Sequence, residues 1–301
     1  MKWSHLHLCA GVALGLLPKL SLEELHEVLQ TLEHSHLSPS LALRIEDKLT
    51  NASTYHTIDE TLQSWQESFF VLTPFSELYP PSFLHLTTPP PLLFVQGHPT
   101  WDTHFNLAVV GKRDAQIHTL KWMNEEFQKF LTYDVGPLNI VSGGARGIDQ
   151  RAHSSALLYK KATTVFLPSG HDCIYPQSLL PLKESILENQ GALVSHYLPQ
   201  TPMRKHNFHS RNELIAAMAD LCVIVEAEKR SGTYKTALYC QNLNTPLAVV
   251  PSFPLDTNYS GSLQLIYDGA MIVRDHKDLS LLKSLQPKST IAVDQIYKGN
   301  A

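Results

Sequence analysis

Ser142-Gly143-Gly144-Ala145-Arg146-Gly147-Ile148-Asp149 sets three glycines within eight residues. It follows the apolar run 138–141 and leads into a helical pattern, so it reads as the turn of a strand–turn–helix unit. Such a turn aims backbone N–H groups outward at a positive helix end, a seat for phosphate, and so points to a nucleotide or nucleic acid. Glycines at 143, 144 and 147 do not fit the dinucleotide fingerprint G-x-G-x-x-G, and no Walker lysine and hydroxyl pair follows. Read for conformation alone, Gly143 and Gly144 supply positive φ, and Gly147 lets the helix pack on the sheet.

Outward from that turn, everything after Asn106 alternates short apolar runs with helical periods, the pattern of a parallel sheet covered by helices. Strands are expected at 107–110, 138–141, 164–167, 192–195, 221–225 and 247–250, with a short last one at 271–273. Helices are expected near 115–131, 148–160, 178–188, 210–219, 232–243 and 261–269. The expected fold is α/β, a Rossmann-like, doubly wound, mostly parallel sheet over 106–275, with a small helical domain ahead of it.

That helical domain occupies residues 1–70, where Leu16, Leu17, Leu20, Leu22, Leu25, Val28, Leu29 and Leu32 recur at near-helical spacing. Ser21 followed by Glu23 and Glu24 marks a helix start. Residues 71–105 hold Tyr79-Pro80-Pro81 and Pro89-Pro90-Pro91 and read as an extended connecting segment, docked by Leu92, Leu93, Phe94 and Val95. Residues 276–301 read as a tail.

The 301 residues carry a formal net charge of −4, so any nucleic-acid binding must come from a local patch of Lys and Arg. Cys9, Cys173, Cys222 and Cys240 have no C-x-x-C spacing, which fits a reducing, cytoplasmic compartment. Lys2 and the apolar run 8–17 have the outline of a signal peptide, but His5 and His7 interrupt it and no small-x-small cleavage site follows. No apolar run reaches the ~20 residues of a membrane helix. Pairs such as His34/His36 and His206/His209 lack further ligands nearby, so no metal is expected.

In an open parallel sheet the ligand crevice lies at the carboxyl ends of the strands. There the chain places Gly111-Lys112-Arg113, the glycine-rich turn, Ser169-Gly170, Glu226 and Ser231-Gly232-Thr233. Between the strand at 192–195 and the next helix runs Arg204-Lys205-His206-Asn207-Phe208-His209-Ser210-Arg211-Asn212, basic with one aromatic inside. Cations match phosphates and an aromatic face stacks on a base, the composition of single-stranded nucleic-acid sites. The bland alternative is a solvated loop with Phe208 anchored in the core. Glu226 has no partner order that would make it a general base, and is read as orienting Arg211 or capping amides. Asp149 is read as satisfying amides or the helix dipole.

Over residues 75 to 273 these motifs, in this order, resemble the DNA-processing protein A family, also called DprA or Smf. Gly111-Lys112-Arg113 stands where the family has Gly-Ser-Arg, and 142–149 nearly repeats its glycine-rich segment. His153, Ala156 and Leu157, Gly170 with Tyr175-Pro176, Phe208 with Arg211-Asn212, Glu226-Ala227, Ser231-Gly232 and Thr236-Ala237 continue the match. The resemblance implies a bacterial, cytoplasmic, homodimeric protein that binds single-stranded DNA without cutting it and uses no cofactor. It implies that incoming DNA is protected and the RecA recombinase loaded on it during natural transformation. By position, Arg113 resembles the family's phosphate-binding arginine, Lys205 its DNA-contacting lysine and Phe208 the aromatic beside it. Arg211 and Asn212 resemble the residues that build the same pocket. Lys112, Gly143, Gly144, Arg146, Gly170, Ser231 and Gly232 complete the expected DNA-binding set, with no catalytic and no metal residue.

Departures are Ser178 for asparagine, His196 where Ser-Glu is common, His209 for proline and Glu213 for arginine. Glu213 would weaken a DNA patch or form a helix-start pair. Residues 276–301 are too few for the winged helix of many members, and 1–70 match the family's sterile-alpha-motif-like or helix-hairpin-helix-like domain poorly. The rival class is a nucleotide-processing enzyme resembling the lysine-decarboxylase-like phosphoribohydrolases. Its Pro-Gly-Gly-x-Gly-Thr segment with a following glutamate has no counterpart in Ser231-Gly232-Thr233-Tyr234-Lys235-Thr236-Ala237. A passive nucleotide sensor would need the pocket but not the basic run.

Overall fold

Four helices open the chain in the computed structural model, which describes residues 2–34 and 37–286: α1 (His5–Ala13), α2 (Leu22–His34), α3 (Pro39–Leu49) and α4 (Ala52–Gln66). His36 and residues 287–301 of the expected tail lie outside the described residues. At the start of α2, Ser21 and Glu24 form a reciprocal capping box: the Glu24 N–H donates to Ser21 Oγ at 3.1 Å, and the Ser21 N–H to Glu24 Oε2 at 2.7 Å. Leu8, Cys9, Val28, Ile45 and Ile58 form the buried core of these helices, so the apolar run near the amino terminus is core in this fold.

The expectation of a mere connector over 71–105 needs correction. Two strands lie at this border, β1 (Phe70–Leu72) and β2 (Leu93–Gly97), paired antiparallel with Val71 opposite Phe94. Prolines 89–91 exclude helix but end before β2 begins at Leu93, so none of them removes a ladder hydrogen bond from the strand. Val71, Leu92 and Phe94 join the core of the four helices, and Trp65 packs edge-on against Phe94 with ring centroids 5.0 Å apart. The helical region is thereby attached to the sheet through shared apolar packing.

The remaining strands are β3 (Phe105–Val110), β4 (Leu138–Ser142), β5 (Ala162–Phe166), β6 (Ala192–Ser195), β7 (Leu221–Ile224), β8 (Leu247–Val249) and β9 (Met271–Ile272). One sheet runs in the order β1-β2-β6-β5-β4-β3-β7-β8-β9, parallel from β6 to β9 and antiparallel at β1 and β2. The helices between them are α5 (Ile117–Trp122) and α6 (Gln128–Tyr133), joined by a π turn, then α7 (Ile148–Leu158), α8 (Leu180–Glu188), α9 (Asn207–Met218), α10 (Gly232–Asn242), α11 (Ser260–Tyr267) and α12 (His276–Leu285).

All six residues of β3 are buried because helices cover both faces. Ala108 and Val110 share a core with Leu214 and Ile215 of α9 and Cys240 of α10, while Leu107 and Val109 pack with Phe127, Ala152 of α7 and Leu282 of α12. That alternation is the two-residue period of a strand divided between two helical layers. β3 has β4 on one side and β7 on the other, so the winding reverses there, and the crevice outside the ends of β3 and β7 is where ligands enter such sheets. No helix among the described residues is long and apolar enough to cross a membrane.

Candidate nucleic-acid interface

At that crevice lies a cavity of about 300 Å³, lined among others by Gly111, Lys112, Arg113, Arg211, Asn212 and Glu226. A smaller pocket beside it is lined by Arg113, Gly143, Ala145, Arg146, Tyr175, Pro176 and Phe208. Phe208 lies between the two. The Arg113 guanidinium is 5.2 Å and that of Arg211 5.5 Å from its ring centroid, while Tyr175 meets the ring at 6.0 Å and an interplanar angle of 82°. Tyr175 is absent from the expected site residues; its place before Pro176 in the loop after β5 is the signal the sequence offers for it.

The two arginines differ in burial. Arg113 and Arg146 are exposed and have no ion pair among the described residues. Arg211 is 4% exposed and donates from Nη1 to the carbonyls of Gly143 and of Phe166, the latter at 3.2 Å. Burial, together with the nearby Arg113 charge, pushes its guanidinium down to about 10, against the stabilising field of Asp149. Arg211, expected to help build the pocket, is thus engaged with the carbonyls of Gly143 and Phe166, its guanidinium 5.5 Å from the centroid of the Phe208 ring.

The same packing explains Gly143. A Cβ there would come within 1.6 Å of Arg211 Nη1, so the glycine is needed for close approach, and positive φ belongs to Gly144 and Gly147 instead. At Gly147, with φ +83°, a Cβ would stand 2.2 Å from the Arg113 carbonyl oxygen, which ties the glycine-rich turn to the turn after β3. Asp149, buried at the start of α7, accepts from the Ala145 N–H at 3.3 Å, the amide-satisfying role expected of it. Burial pushes its carboxyl up and Arg211 opposes that.

The other expected residues divide into free and engaged groups. Lys205 is exposed in the turn just ahead of α9, without an ion pair among the described residues. Lys112 is engaged, its Nζ bonding Glu228 and, at 2.6 Å, Asn258 Oδ1, and the Glu228 carboxylate raises the ammonium above its ordinary range. Asn212 is buried and donates to the Gly232 carbonyl at 3.3 Å. Ser231 caps α10 by accepting from the Tyr234 N–H at 3.1 Å, and Gly232 has open space where a side chain would be. Gly170 is buried, with the Leu198 and Pro199 carbonyl oxygens 2.1 Å from where a Cβ would sit, so it serves chain packing rather than ligand approach. Glu213 is half-buried, raised by desolvation, and lines neither pocket.

Glu226, at the end of β7, is fully buried. Its Oε2 accepts from the Gln116 N–H at 2.9 Å and from Thr119 Oγ1 at 2.7 Å, and Thr119 in turn meets the Tyr259 hydroxyl. The amide-capping half of its expected role is therefore found, while Arg211 is oriented by carbonyls. Sequence reasoning misses Thr119 and Tyr259, which are distant in the chain and carry no local signal.

A family model described as DNA recombination-mediator protein A matches residues 70–283. Protein Smf of Escherichia coli is 34% identical over 211 residues, 70% of this chain and 55% of that protein, and DNA processing protein DprA of Streptococcus pneumoniae is 30% identical over 212 residues, 70% of this chain and 72% of that one. The chain thus spans about half the length of the E. coli relative. The solved S. pneumoniae DprA covers 93% of this chain and 98% of its own with a TM-score of 0.74 at 24% identity, a likeness of fold. DNA processing protein A from Helicobacter pylori, solved for its single-stranded DNA binding mode, has a TM-score of 0.62 at 27% identity, covering 72% of this chain and 97% of that one.

Proposed function

The chain belongs to the DNA recombination-mediator protein A family, and on that premise we propose that it binds single-stranded DNA along the carboxyl edge of its sheet. In this reading it is a cytoplasmic mediator that protects incoming DNA and helps load RecA during natural transformation. It works as a homodimer and turns over neither DNA nor nucleotide. The observation that carries the reading is the exposed pair Arg113 and Arg146 around the Phe208 and Tyr175 rings, at the crevice where the winding reverses. Exposed guanidinium groups take phosphates, and an aromatic face open to solvent takes a base whatever its identity. Lys205, three residues ahead of Phe208, supplies a third cation. Because the net charge is −4, this local grouping and not an overall field must supply the attraction.

The test is a titration of labelled single-stranded, duplex and mononucleotide ligands against wild type and the Arg113→Ala, Lys205→Ala double variant. Preferred single-strand binding that the folded double variant loses supports the reading. Equal binding by both removes the site. Sedimentation at micromolar protein should show a dimer, because two small sites on one strand bind better linked than apart. Product formation from nucleotide that disappears in Glu226→Gln would replace the binding reading by an enzymatic one.

A further inference from the structure

A further cleft, of about 840 Å³, opens at the carboxyl edge of the sheet between the helical region and the loops after β5 and β6. Its helical wall is one face of α4: Thr61, Ser64 and Trp65 lie at i, i+3 and i+4, and Ser68 continues the row just past the helix. Those small hydroxyl side chains leave room in the cleft. The rings of Trp65 and Phe69 share the lining, half-buried and anchored against Phe94 and His171. The opposite wall is held by backbone bonds: the Asp172 N–H donates to the Pro199 carbonyl at 2.9 Å and the Gly170 N–H to the Thr201 carbonyl at 2.8 Å. Leu198, on the same wall, packs against the core of the helices. Gly170, whose lack of a Cβ lets the Leu198 and Pro199 carbonyls come close, thereby shapes this wall.

We infer that this cleft is a second subsite for single-stranded DNA, taking a base on the Trp65 and Phe69 rings and a phosphate on Arg204 and the α4 hydroxyls. The inference rests on the single-stranded DNA reading of the crevice and continues the strand from there. Arg204 lines the cleft and Phe208 the crevice, and the four residues from one to the other span at most about 15 Å. The exposed Lys205 lies between them. On the loop after β5, Asp172 at the cleft and Tyr175 at the crevice are three residues apart. Aromatic rings beside a cation are what a strand site indifferent to sequence uses, and serine and threonine hydroxyls bond phosphate oxygens. Arg204 is exposed and has no ion pair among the described residues. Glu60 and Asp172, exposed on the same lining, repel phosphate and so leave the backbone to Arg204 and the hydroxyls, while the uncharged bases are not repelled. Continuity with the crevice favours a nucleic acid over a peptide here.

The experiment measures affinity of the full chain for oligothymidylates of about 4 and about 16 nucleotides. Length alone adds binding registers and lets one strand span two copies, so the long-to-short ratio is read against Arg204→Ala and Ser64→Glu, both at exposed positions. One stacked base corresponds to about a tenfold gain, and the ratio should fall by about that factor in each variant, with circular dichroism showing both folded. A long strand carrying one iodouracil at successive positions is then cross-linked under ultraviolet light, and the attached residue is found by mass spectrometry. Attachment to Trp65 or Phe69 from positions distinct from those that attach to Phe208 or Tyr175 supports the inference. Attachment to Phe208 and Tyr175 alone overturns it, as does a ratio unchanged in both variants, and either result leaves the single-stranded DNA reading of the crevice standing. If neither strand binds, that reading fails and the second subsite with it. A peptide that cross-links in the cleft without displacing the long strand would assign the cleft to a protein partner and overturn the inference.

Discussion

The turn after β3 and the amino-terminal half of α9 each bring an arginine to the Phe208 ring, and their surroundings make the two opposite in kind. Arg113 is exposed and has no ion pair among the described residues, so its charge is available to a ligand. Arg211 is buried, feels Asp149, and gives its hydrogen bonds to the Gly143 and Phe166 carbonyls. The same residue type at nearly the same distance from one ring is in one case an exposed charge and in the other a structural post. Burial decides which. The two regions should therefore answer to different perturbations, the buried one to deletion and acid, the exposed one to salt.

The largest contrast is in stability. Arg211→Ala leaves the Gly143 and Phe166 carbonyls without their guanidinium donor and removes the charge that favours the buried Asp149 carboxylate, and leaving buried polar groups unpaired costs about 1–3 kcal/mol each. Arg113→Ala, at an exposed position, should change stability by less than about 0.5 kcal/mol. Urea unfolding of the two variants measures both. If Arg211→Ala unfolds like wild type, Arg211 is no structural post and belongs with Arg113.

Acid should act next, and only on the buried side. His153, buried in α7 with Nδ1 against Thr163 Oγ1 at 2.7 Å, is held down to about 3 by burial and by the Arg211 charge; His171, bonded to the Phe94 carbonyl, is held down to about 4 by burial. A histidine whose pKa is lower in the fold than in the unfolded chain stabilises above its unfolded value of 6.5. That stability is lost as pH falls toward the folded value. Each group contributes a slope of up to about 1.4 kcal/mol per pH unit, while the raised carboxyl of Asp149 works the other way at the acid end. Urea midpoints should thus fall between about pH 6.5 and 4, and His153→Gln should flatten that fall. An unchanged slope would mean that His153 is protonated in the fold.

Much of this division is legible in the sequence, and the parts that are not have identifiable causes. The strands from β3 to β9 are visible because each is a short apolar run covered by helices. β1 and β2 are hidden because prolines flank them and their length gives no periodicity. The inward turn of Arg211 does have a sequence signal: Arg211, Leu214, Ile215 and Met218 follow the i, i+3, i+4, i+7 spacing of a buried helix stripe. Backbone conformation alone does not account for Gly143, whose reason is the guanidinium packed on it, brought there by a residue 68 positions away. Sequence cannot separate Lys112 from Arg113, because the partners of Lys112, Glu228 and Asn258, come from loops far along the chain.

Phe208 sits between the two regions, so its variant measures how far each depends on the ring. Phe208→Ala should weaken single-stranded DNA binding by roughly 1–3 kcal/mol per stacked base with little change in salt dependence. Because the buried Arg211 guanidinium lies 5.5 Å from the ring centroid, a modest loss of thermal stability should accompany it. A variant that loses stability but binds DNA as before would make Phe208 a packing residue alone.

The smallest effect is also the most selective, since it separates neighbours in sequence. Removing one phosphate-bound cation from a single-strand complex lowers the slope of log affinity against log salt by about 0.7. Arg113→Ala and Lys205→Ala should each show that decrement for every oligonucleotide sequence, because an ion pair with phosphate carries no base identity. Lys112→Ala should show much less: its ammonium is already neutralised by Glu228 and held by Asn258, so binding a phosphate would first require breaking that pair. Affinity measured across a salt series for the three variants ranks them directly. Should Lys112→Ala lower the slope as much as Arg113→Ala, the Lys112–Glu228 pair must open when DNA binds, and the distinction between engaged and free cations at this crevice would dissolve.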